Sequence, residues 1–182
     1  MKASKNLILD AAERVVLRDG GAHLTLDAVA AEAAMSKGGL LYHYPTKEDL
    51  IRAMIIRLQD EFDAELKRQA ADDPVPEGRY TRAYVNATLA RESSPFSIRL
   101  GQISAALLAA VATNPSLLAP LHEKDRLVCA SLSSDGIDPV MATIARLAAD
   151  GLWVFQLFGV PPLEPGLYDR VVARLNEFTK PL

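Results

Sequence analysis

The sequence predicts an all-α protein of about nine helices, with a three-helix head at the N-terminus and a larger helical bundle behind it. Apolar side chains recur at three- and four-residue steps, as in the line Leu7, Ala11 and Val15. Prolines punctuate the second half of the chain at helix-sized intervals. No segment alternates with period two for long enough to favour a strand.

Composition excludes several classes of protein. The chain has 182 residues and a mass of 19.7 kDa, with 49% hydrophobic residues, 24% charged residues and a formal net charge of -3. A disordered polyelectrolyte and a generally basic nucleic-acid coat do not fit these values. Cys129 is the one cysteine, so no intrachain disulfide can form. With only Leu7-Ile8-Leu9 as an early apolar run, export is not expected, and we expect a cytoplasmic protein.

Three helices are predicted in the head, each with its own start or stop signal. Asp19-Gly20-Gly21 ends the first helix, because glycine adopts the left-handed conformation of a C-terminal cap without strain. Thr25 and Ser36 can cap the second and third helices through their hydroxyl groups. Pro45 stops the third helix, which is predicted to span Lys37 to Tyr44.

A long fourth helix is predicted from Thr46 to about Ala71, where the Pro-containing segment 72–76 breaks the apolar pattern. Asn114-Pro115 and Asp138-Pro139 each place a capping side chain before a proline, which is a start signal for a helix. The uncharged stretch from Leu100 to His122 is interrupted by polar residues and prolines, so we expect buried helices there and no membrane span.

Sequence motifs of enzymes are absent. The glycines form neither a dinucleotide nor a P-loop fingerprint, and there is no H-E-x-x-H, paired C-x-x-C or G-x-S-x-G. His122-Glu123 has no matching nucleophile, and a polar pair on a solvated helix is the better interpretation. His23, His43 and His122 lie too far apart in sequence to suggest a metal cluster. We therefore expect no enzyme, no catalytic residue, no cofactor and no metal site.

Residues 25–47 have the pattern of a helix-turn-helix. Two short helices are joined by Ala34-Met35-Ser36, and the second has the length of a helix that enters a DNA major groove. No acidic residue occurs from Ala33 to Lys47, so this surface carries no carboxylate that would repel phosphates.

In this region the sequence resembles the tetracycline-repressor-like (TetR/AcrR) family of transcriptional regulators. The matching runs are Thr25–Ala30, Met35–Leu40 and Tyr42–Leu50. The rest of the chain is similar only in helix count and in Asp150-Gly151-Leu152-Trp153, a feature of the family's eighth helix. The resemblance implies a DNA-binding domain at 1–47 and a ligand-binding and dimerisation domain at 48–182, connected by the long helix at about 46–71.

The resemblance also implies a function and a set of DNA contacts. The expected protein is a ligand-responsive transcriptional regulator, usually a repressor, that a small, mostly apolar effector releases from a palindromic operator in double-stranded DNA. Hydroxyls, helix N-termini and cations would contact phosphates, bare glycines would allow close approach, and a tyrosine would reach base edges. The residues implied are Thr25, Ser36, Lys37, Gly38, Gly39, Tyr42, His43 and Lys47.

Several positions depart from the family pattern. Ala34 stands where glycine is common in the turn, so a left-handed backbone there would be strained. Gly39 and Leu41 replace residues whose hydroxyls commonly bind phosphate, and Tyr44 is expected in the core. Gly39 and Leu41 motivate an alternative, a helical ligand-binding or interaction protein that has lost specific DNA binding.

In the second domain, the resemblance implies an effector cavity and a dimer interface. Candidate cavity residues are aromatic, apolar or polar side chains of the predicted helices, although a packed core is the simpler interpretation of any one of them. They are Tyr84, Phe96, Leu100, Gln102, Ile103, His122, Trp153 and Phe158. The last two predicted helices, Pro139–Phe158 and Pro165–Phe178, would pair with their symmetry mates in a homodimer.

Overall fold

The computed structural model describes residues 2–89, 95–160 and 163–180. Within these ranges it contains nine α-helices, two short 3₁₀ turns (Gly21–His23 and Pro115–Leu118) and no strand. The helices are α1 (Lys2–Asp19), α2 (Leu26–Glu32), α3 (Lys37–His43), α4 (Lys47–Asp72), α5 (Arg79–Thr88), α6 (Pro95–Thr113), α7 (Ala119–Ser133), α8 (Pro139–Leu157) and α9 (Pro165–Glu177). The prediction of an all-α fold is confirmed.

Three of the predicted caps are present. The Thr25 hydroxyl accepts a hydrogen bond from the Ala28 amide at 3.1 Å, and the Ser36 hydroxyl accepts one from the Gly39 amide at 3.1 Å. The Asp138 carboxylate accepts one from the Val140 amide at 2.9 Å. Each cap satisfies an amide that the first helical turn leaves without a partner, and so fixes where the helix starts.

The predicted helix start at Asn114-Pro115 is only partly confirmed. Pro115–Leu118 forms a 3₁₀ turn, and the Asn114 side chain makes no cap bond to it. The Asn114 Oδ1 atom instead accepts a hydrogen bond from the Ser116 hydroxyl at 2.6 Å. Helix α7 begins only at Ala119, directly before Pro120. A proline in the first helical turn needs no amide partner, so the second proline marks the true start.

The chain forms two compact units. The head unit comprises Met1–Gln59 and Ile98–Leu121, and the body unit comprises Asp60–Ser97 and His122–Leu182. The domain boundary predicted at residue 47 is not a boundary of these units. Helix α4 continues past it, and most of α6 belongs to the head unit.

The head unit is built around one apolar core. Ile8 and Val15 of α1, Leu40 of α3, and Leu50 and Met54 of α4 are fully buried in it. Tyr44 is also buried, as the sequence predicts. Helices α2 and α3 have seven residues each, too few to be stable alone in water. Their shape therefore depends on this shared core.

In the body unit, a buried arginine holds the segment between α4 and α5. Arg82 donates from Nε to Asp73 at 2.7 Å and from its terminal nitrogens to the Val75 carbonyl at 2.6 Å and the Thr179 carbonyl at 2.7 Å. The hydrogen bond from Arg82 holds the pKa of Asp73 below its usual value. These bonds join α5 to the segment before it and to the end of the chain.

The N-terminus of α5 is capped by a residue that is distant in sequence. The Asp135 carboxylate accepts hydrogen bonds from the Tyr80 amide at 3.1 Å, the Thr81 amide at 2.7 Å and the Thr81 hydroxyl at 2.8 Å. Thr81 is fully buried, so its hydroxyl group has no access to solvent. Asp135 therefore satisfies three donors at once and joins the loop after α7 to α5.

We expect Asp135→Ala to lower the free energy of unfolding by about 2 kcal/mol, because it leaves a buried hydroxyl and two helix-start amides without a partner. Asp138→Ala is the matched control, since it removes a cap with one hydrogen bond and should cost about 1 kcal/mol. Urea unfolding followed by circular dichroism measures both. A loss for Asp135→Ala no larger than that for Asp138→Ala would contradict the assigned role.

Candidate nucleic-acid interface

Helices α2 and α3 are joined by a strained turn. Ala34 has a φ of +52°, in the left-handed region that favours glycine. The turn is held by the hydrogen bond from the Met35 amide to the Ala30 carbonyl at 3.0 Å. The strain predicted for a left-handed alanine is therefore present, and the surrounding head core must overcome it.

Helix α3 separates its apolar and polar side chains. Leu40 is fully buried in the head core, whereas Tyr42 is 77% exposed. The rings of Tyr42 and His43 meet edge to face, with centroids 5.2 Å apart. Tyr42 is therefore available to a molecule that meets the outer surface of α3.

The two glycines of α3 have different surroundings. A Cβ atom at Gly38 would meet nothing within 4 Å, whereas one at Gly39 would lie 3.3 Å from the Ser36 hydroxyl oxygen. The Gly39 amide is the donor to that hydroxyl, so a Cβ atom at Gly39 would require the Ser36 side chain to give by a few tenths of an ångström. Nothing in the described fold requires glycine at Gly38, so its bare surface is available for another molecule.

Thr25 and Ser36 are exposed, and each uses its hydroxyl oxygen as an acceptor in its own helix cap. The hydroxyl hydrogen of each remains a potential donor. A phosphate oxygen at these helix starts would also meet the positive end of the helix dipole. The two caps can therefore add anion contacts without changing their structural bonds.

Two lysines flank α3. The Lys37 amine pairs with Asp27 of α2 at 2.8 Å, and both side chains are well exposed. Lys47 begins α4 and has no ion-pair partner among the described residues. The acid-free surface expected between Ala33 and Lys47 therefore has a carboxylate beside it, supplied by α2. An exposed pair of this kind contributes little to stability, so Lys37 can exchange Asp27 for a phosphate.

The start of α4 is fixed by Thr46 and Asp49. The Thr46 hydroxyl accepts from the Asp49 amide at 3.0 Å and donates to the Asp49 carboxylate at 2.7 Å. The hydroxyl hydrogen bond lowers the pKa of Asp49 from its usual value. Lys47 is thereby held at the beginning of a stable helix next to α3.

Lys5 is a further cation near α3 that sequence reasoning missed. Its amine lies 6.0 Å from the centre of the Tyr44 ring, and Tyr44 is the residue that ends α3. Lys5 is itself exposed. Only the shared core of α1 and α3 brings it there, so no local pattern in the sequence could have identified it.

The predicted effector residues are not brought together in one compact unit. In the head unit, Ile103 is fully buried in the core, Leu100 packs against that core and Gln102 is exposed. In the body unit, His122 and Phe158 are exposed and Trp153 is half-buried. The side chain of Phe96 lies outside the described part of the chain. These assignments stay predictions.

Tyr84, the remaining predicted effector residue, is buried and already bonded. Its hydroxyl group donates to Asp150 at 2.6 Å, its ring meets Phe62 edge to face, and the Arg146 guanidinium lies 5.7 Å from its ring centre. Burial raises the pKa of the Tyr84 hydroxyl. An effector that used this hydroxyl group would have to displace the bond to Asp150.

No cluster of three or more potential metal ligands occurs in 2–89, 95–160 or 163–180. In the same part of the chain, α8 has the length and apolar composition that a membrane-spanning helix would need. The stretch 100–122 instead divides between α6, a 3₁₀ turn and α7.

Two family models match the chain in separate segments. Residues 8–54 match the model described as bacterial regulatory proteins, tetR family. Residues 78–180 match the model described as tetracyclin repressor-like, C-terminal domain. The first match includes α2 and α3 and most of α1, and the second extends from the start of α5 to the end of α9.

Solved structures share the fold along nearly the whole chain. The multidrug binding protein EbrR in complex with imidazole is 26% identical, with 98% of this chain and 95% of EbrR covered and a TM-score of 0.69. EbrR in complex with proflavin gives 27% identity, coverages of 94% and 99%, and a TM-score of 0.60. A transcriptional regulator from Rhodococcus sp. Rha1, at 22% identity, 96% and 93% coverage and a TM-score of 0.72, shows the common fold alone.

We expect Asp27→Asn to raise affinity for DNA about threefold or more, because it removes a carboxylate beside α3 and releases Lys37. The rise should occur on all sequences alike, since a lysine on phosphate contributes charge without reading bases. Fluorescence anisotropy with labelled duplexes at several salt concentrations measures it.

Lys47→Ala is the reference variant, in which affinity for DNA should fall and not rise. It should weaken binding to every duplex and lower the slope of log affinity against log salt by about one. Unchanged affinity of Asp27→Asn, together with the expected loss for Lys47→Ala, would show that Lys37 makes no phosphate contact and would contradict its assigned role.

Proposed function

Because the chain belongs to the tetR family of bacterial regulatory proteins, and is a ligand-responsive, DNA-binding transcriptional regulator, we propose that it is a repressor released from a palindromic operator by a small effector. The protein acts in the cytoplasm, where the operator is, and release requires no chemical change in the effector. The alternative, a helical protein without specific DNA binding, is not favoured, since the tetR model extends through α2 and α3.

The outer surface of α3 is the observation that carries the proposal. Gly38 offers bare backbone, Tyr42 points outward, and Lys37 and Lys47 lie on either side. This arrangement lets the helix approach a major groove closely, with phosphate contacts at both ends and one aromatic side chain at the base edges. The affinity then comes mainly from phosphates, and Tyr42 supplies the discrimination between sequences.

We further propose a homodimer through α8 and α9, supported by an exposed apolar face on α8. Large apolar side chains recur there at three- and four-residue steps, and they would form a continuous stripe along the helix. They are Val140, Ile144, Leu147, Val154, Phe155 and Phe158, all exposed. Gly151 leaves open space in the same stripe, where a partner helix can approach closely. Phe158, expected in a ligand cavity, is assigned to this interface.

A membrane is the poorer explanation of that face. Helix α8 carries Arg146 and Asp150 near its middle, and charged residues at the centre of a bilayer are costly. Both already have partners within the body unit, since Arg146 pairs with Asp125 and Asp150 accepts a hydrogen bond from Tyr84. A second copy of the chain covers the apolar stripe without placing these charges in lipid.

The proposed effector is mostly apolar. EbrR has been solved with malachite green, ethidium and proflavin, so a multidrug binding protein of the same fold accepts large aromatic molecules. In this chain three carboxylates of α4 and α8 already have partners: Asp60 and Asp63 pair with Lys124, and Asp150 accepts a hydrogen bond from Tyr84. A neutral ligand with one or two polar groups therefore fits better than a cationic dye.

Two binding experiments test the proposal. Duplexes that bind the protein are selected from a random pool, and an electrophoretic mobility shift then measures binding to the DNA upstream of the chain's own gene. A palindrome in the selected duplexes is the expected result. Compounds that release the DNA should also change the emission of Trp153, the single tryptophan, over the same concentration range. Selection that enriches no common sequence would contradict operator binding.

We expect Leu147→Asp to convert the dimer to a monomer, because a carboxylate in an apolar interface has no partner there. Leu127→Asp is the matched control: Leu127 is 60% exposed and Leu147 64% exposed, but Leu127 lies on α7, outside the stripe. Light scattering at micromolar concentration separates the two. If Leu147→Asp stays dimeric with its fold intact, the interface lies elsewhere.

A further inference from the structure

An open cleft lies in the body unit, between the end of α4, the segment before α5, α5 itself and the end of the chain. Its volume is about 530 Å³, within the range of about 300–1,000 Å³ in which proteins bind small molecules. The described residues that line it include no DNA contact, no candidate effector residue and no residue of the apolar stripe of α8. The proposed function therefore leaves this cleft without a role.

One wall of the cleft is electrically neutral. Arg82 and Asp73 pair there at 2.7 Å, with 5% and 19% of their side chains exposed. The terminal nitrogens of Arg82 bond backbone carbonyl groups. Pro74, Val75 and Ala83 supply apolar surface in the same lining. This wall can hold the apolar part of a ligand, but it has no unpaired charge to offer.

The side of the cleft formed by α4 carries an excess of negative charge. Glu65 and Asp72 both pair with Arg68, at 2.6 Å and 3.0 Å. Within the described ranges no other cation pairs with either carboxylate. Arg68 and Asp72 line the cleft. Because two carboxylates share one guanidinium, this side retains one negative charge.

A positive charge lies at the end of the chain. Lys180 lines the cleft and is exposed. Its amine makes no hydrogen bond or ion pair with any residue that the structure describes. Together with the hydrogen bond from Arg82, which has the larger effect, the charge of Lys180 holds the pKa of Asp73 low. Lys180 is therefore close enough to the neutral wall to act on a molecule that lies against it.

We propose that this cleft binds a small zwitterion, a free amino acid, whose carboxylate faces Lys180 and whose ammonium group faces Asp72. The lining has one unpaired charge of each sign, and an amino acid supplies the matching charge for both. A simple anion would leave the negative side unmatched, and a simple cation would be repelled by Lys180. A short apolar side chain would pack against Val75 and Ala83. This site goes beyond the proposed operator binding and does not depend on it.

The first test titrates the full-length protein, without DNA, with each of the standard amino acids. Amide ¹H–¹⁵N spectra report both the affinity and the place of binding. An amino acid with a short apolar side chain should bind with a dissociation constant of about 1 mM or tighter. The amides that shift should lie at 68–86 and 176–180. No binding by any amino acid, or shifts confined to other parts of the chain, would overturn the proposal.

Analogues of the amino acid test whether both charges are read. For L-valine these are 3-methylbutanoate, which lacks the ammonium group, and isobutylamine, which lacks the carboxylate. Each should bind at least about fivefold more weakly than the amino acid, since each loses one ion pair. An analogue that binds as well as the amino acid would show that the site does not recognise a zwitterion.

Variants at the two charged sides assign the contacts. Lys180→Met removes the positive charge and should weaken the amino acid and the carboxylate analogue at least about fivefold, while the amine binds as before or better. Lys180→Arg should keep the native affinities. Lys67→Met is the matched control, because Lys67 is also exposed but does not line the cleft.

Asp72→Asn should have the opposite selectivity. It should weaken the amino acid and the amine about threefold, since Asp72 is exposed, and should strengthen binding of the carboxylate analogue. A general disturbance of the cleft would weaken all three ligands in parallel. Parallel losses in both Lys180→Met and Asp72→Asn, or native affinities in both, would overturn the assigned contacts, whether or not the protein binds an operator.

Discussion

Helix α3 is present only because the head core holds it. It has seven residues, two of them glycine, and such a segment is unstable as an isolated helix. Leu40 anchors it among side chains of α1 and α4, and the Ser36 cap fixes its first turn. The strained Ala34 turn is held by the same packing. Every proposed DNA contact on α3 therefore depends on the burial of one leucine.

Helix α1 has two roles in this arrangement. Its apolar side, with Ile8 and Val15, supplies much of the head core. Glu13, also buried, connects α1 to α4 through Arg57 and to α6 through Arg99. The apolar contacts shape the core of the head unit, and the ion pairs of Glu13 attach α1 to α4 and α6. Together these contacts hold α3 in a defined position within the unit.

Local signals in the sequence predicted much of the fold. Capping hydroxyls at Thr25 and Ser36, the positive φ of Gly20 and the Asp138-Pro139 start need only neighbouring residues, so they could be found by inspection. The Asn114-Pro115 start gives a 3₁₀ turn, and α7 follows it, because Pro115 and Pro120, five residues apart, can each occupy a first helical turn. The candidate DNA contacts likewise follow from one short run with a specific pattern.

Features that depend on distant residues could not be predicted. Asp135 caps a helix more than fifty positions away in the chain, and Gly21 is required by the backbone at Ala106. Asp27 places a carboxylate beside α3 although the run from Ala33 to Lys47 contains none. Helix packing decides all three contacts. The sequence could not identify the effector residues either, because the same aromatic residue in a sequence can belong to a packed core or line a cavity.

The proposed role of α3 is tested most directly at Gly38, where the fold leaves open space. Gly38→Gln should keep or raise the free energy of unfolding, by up to about 1 kcal/mol, because glycine weakens a helix. We predict that it lowers operator affinity at least tenfold by filling the surface that meets the groove. Gly101→Gln, also at an open helical position, should bind the operator as the native protein does. Native operator affinity in a folded Gly38→Gln protein would contradict recognition through α3.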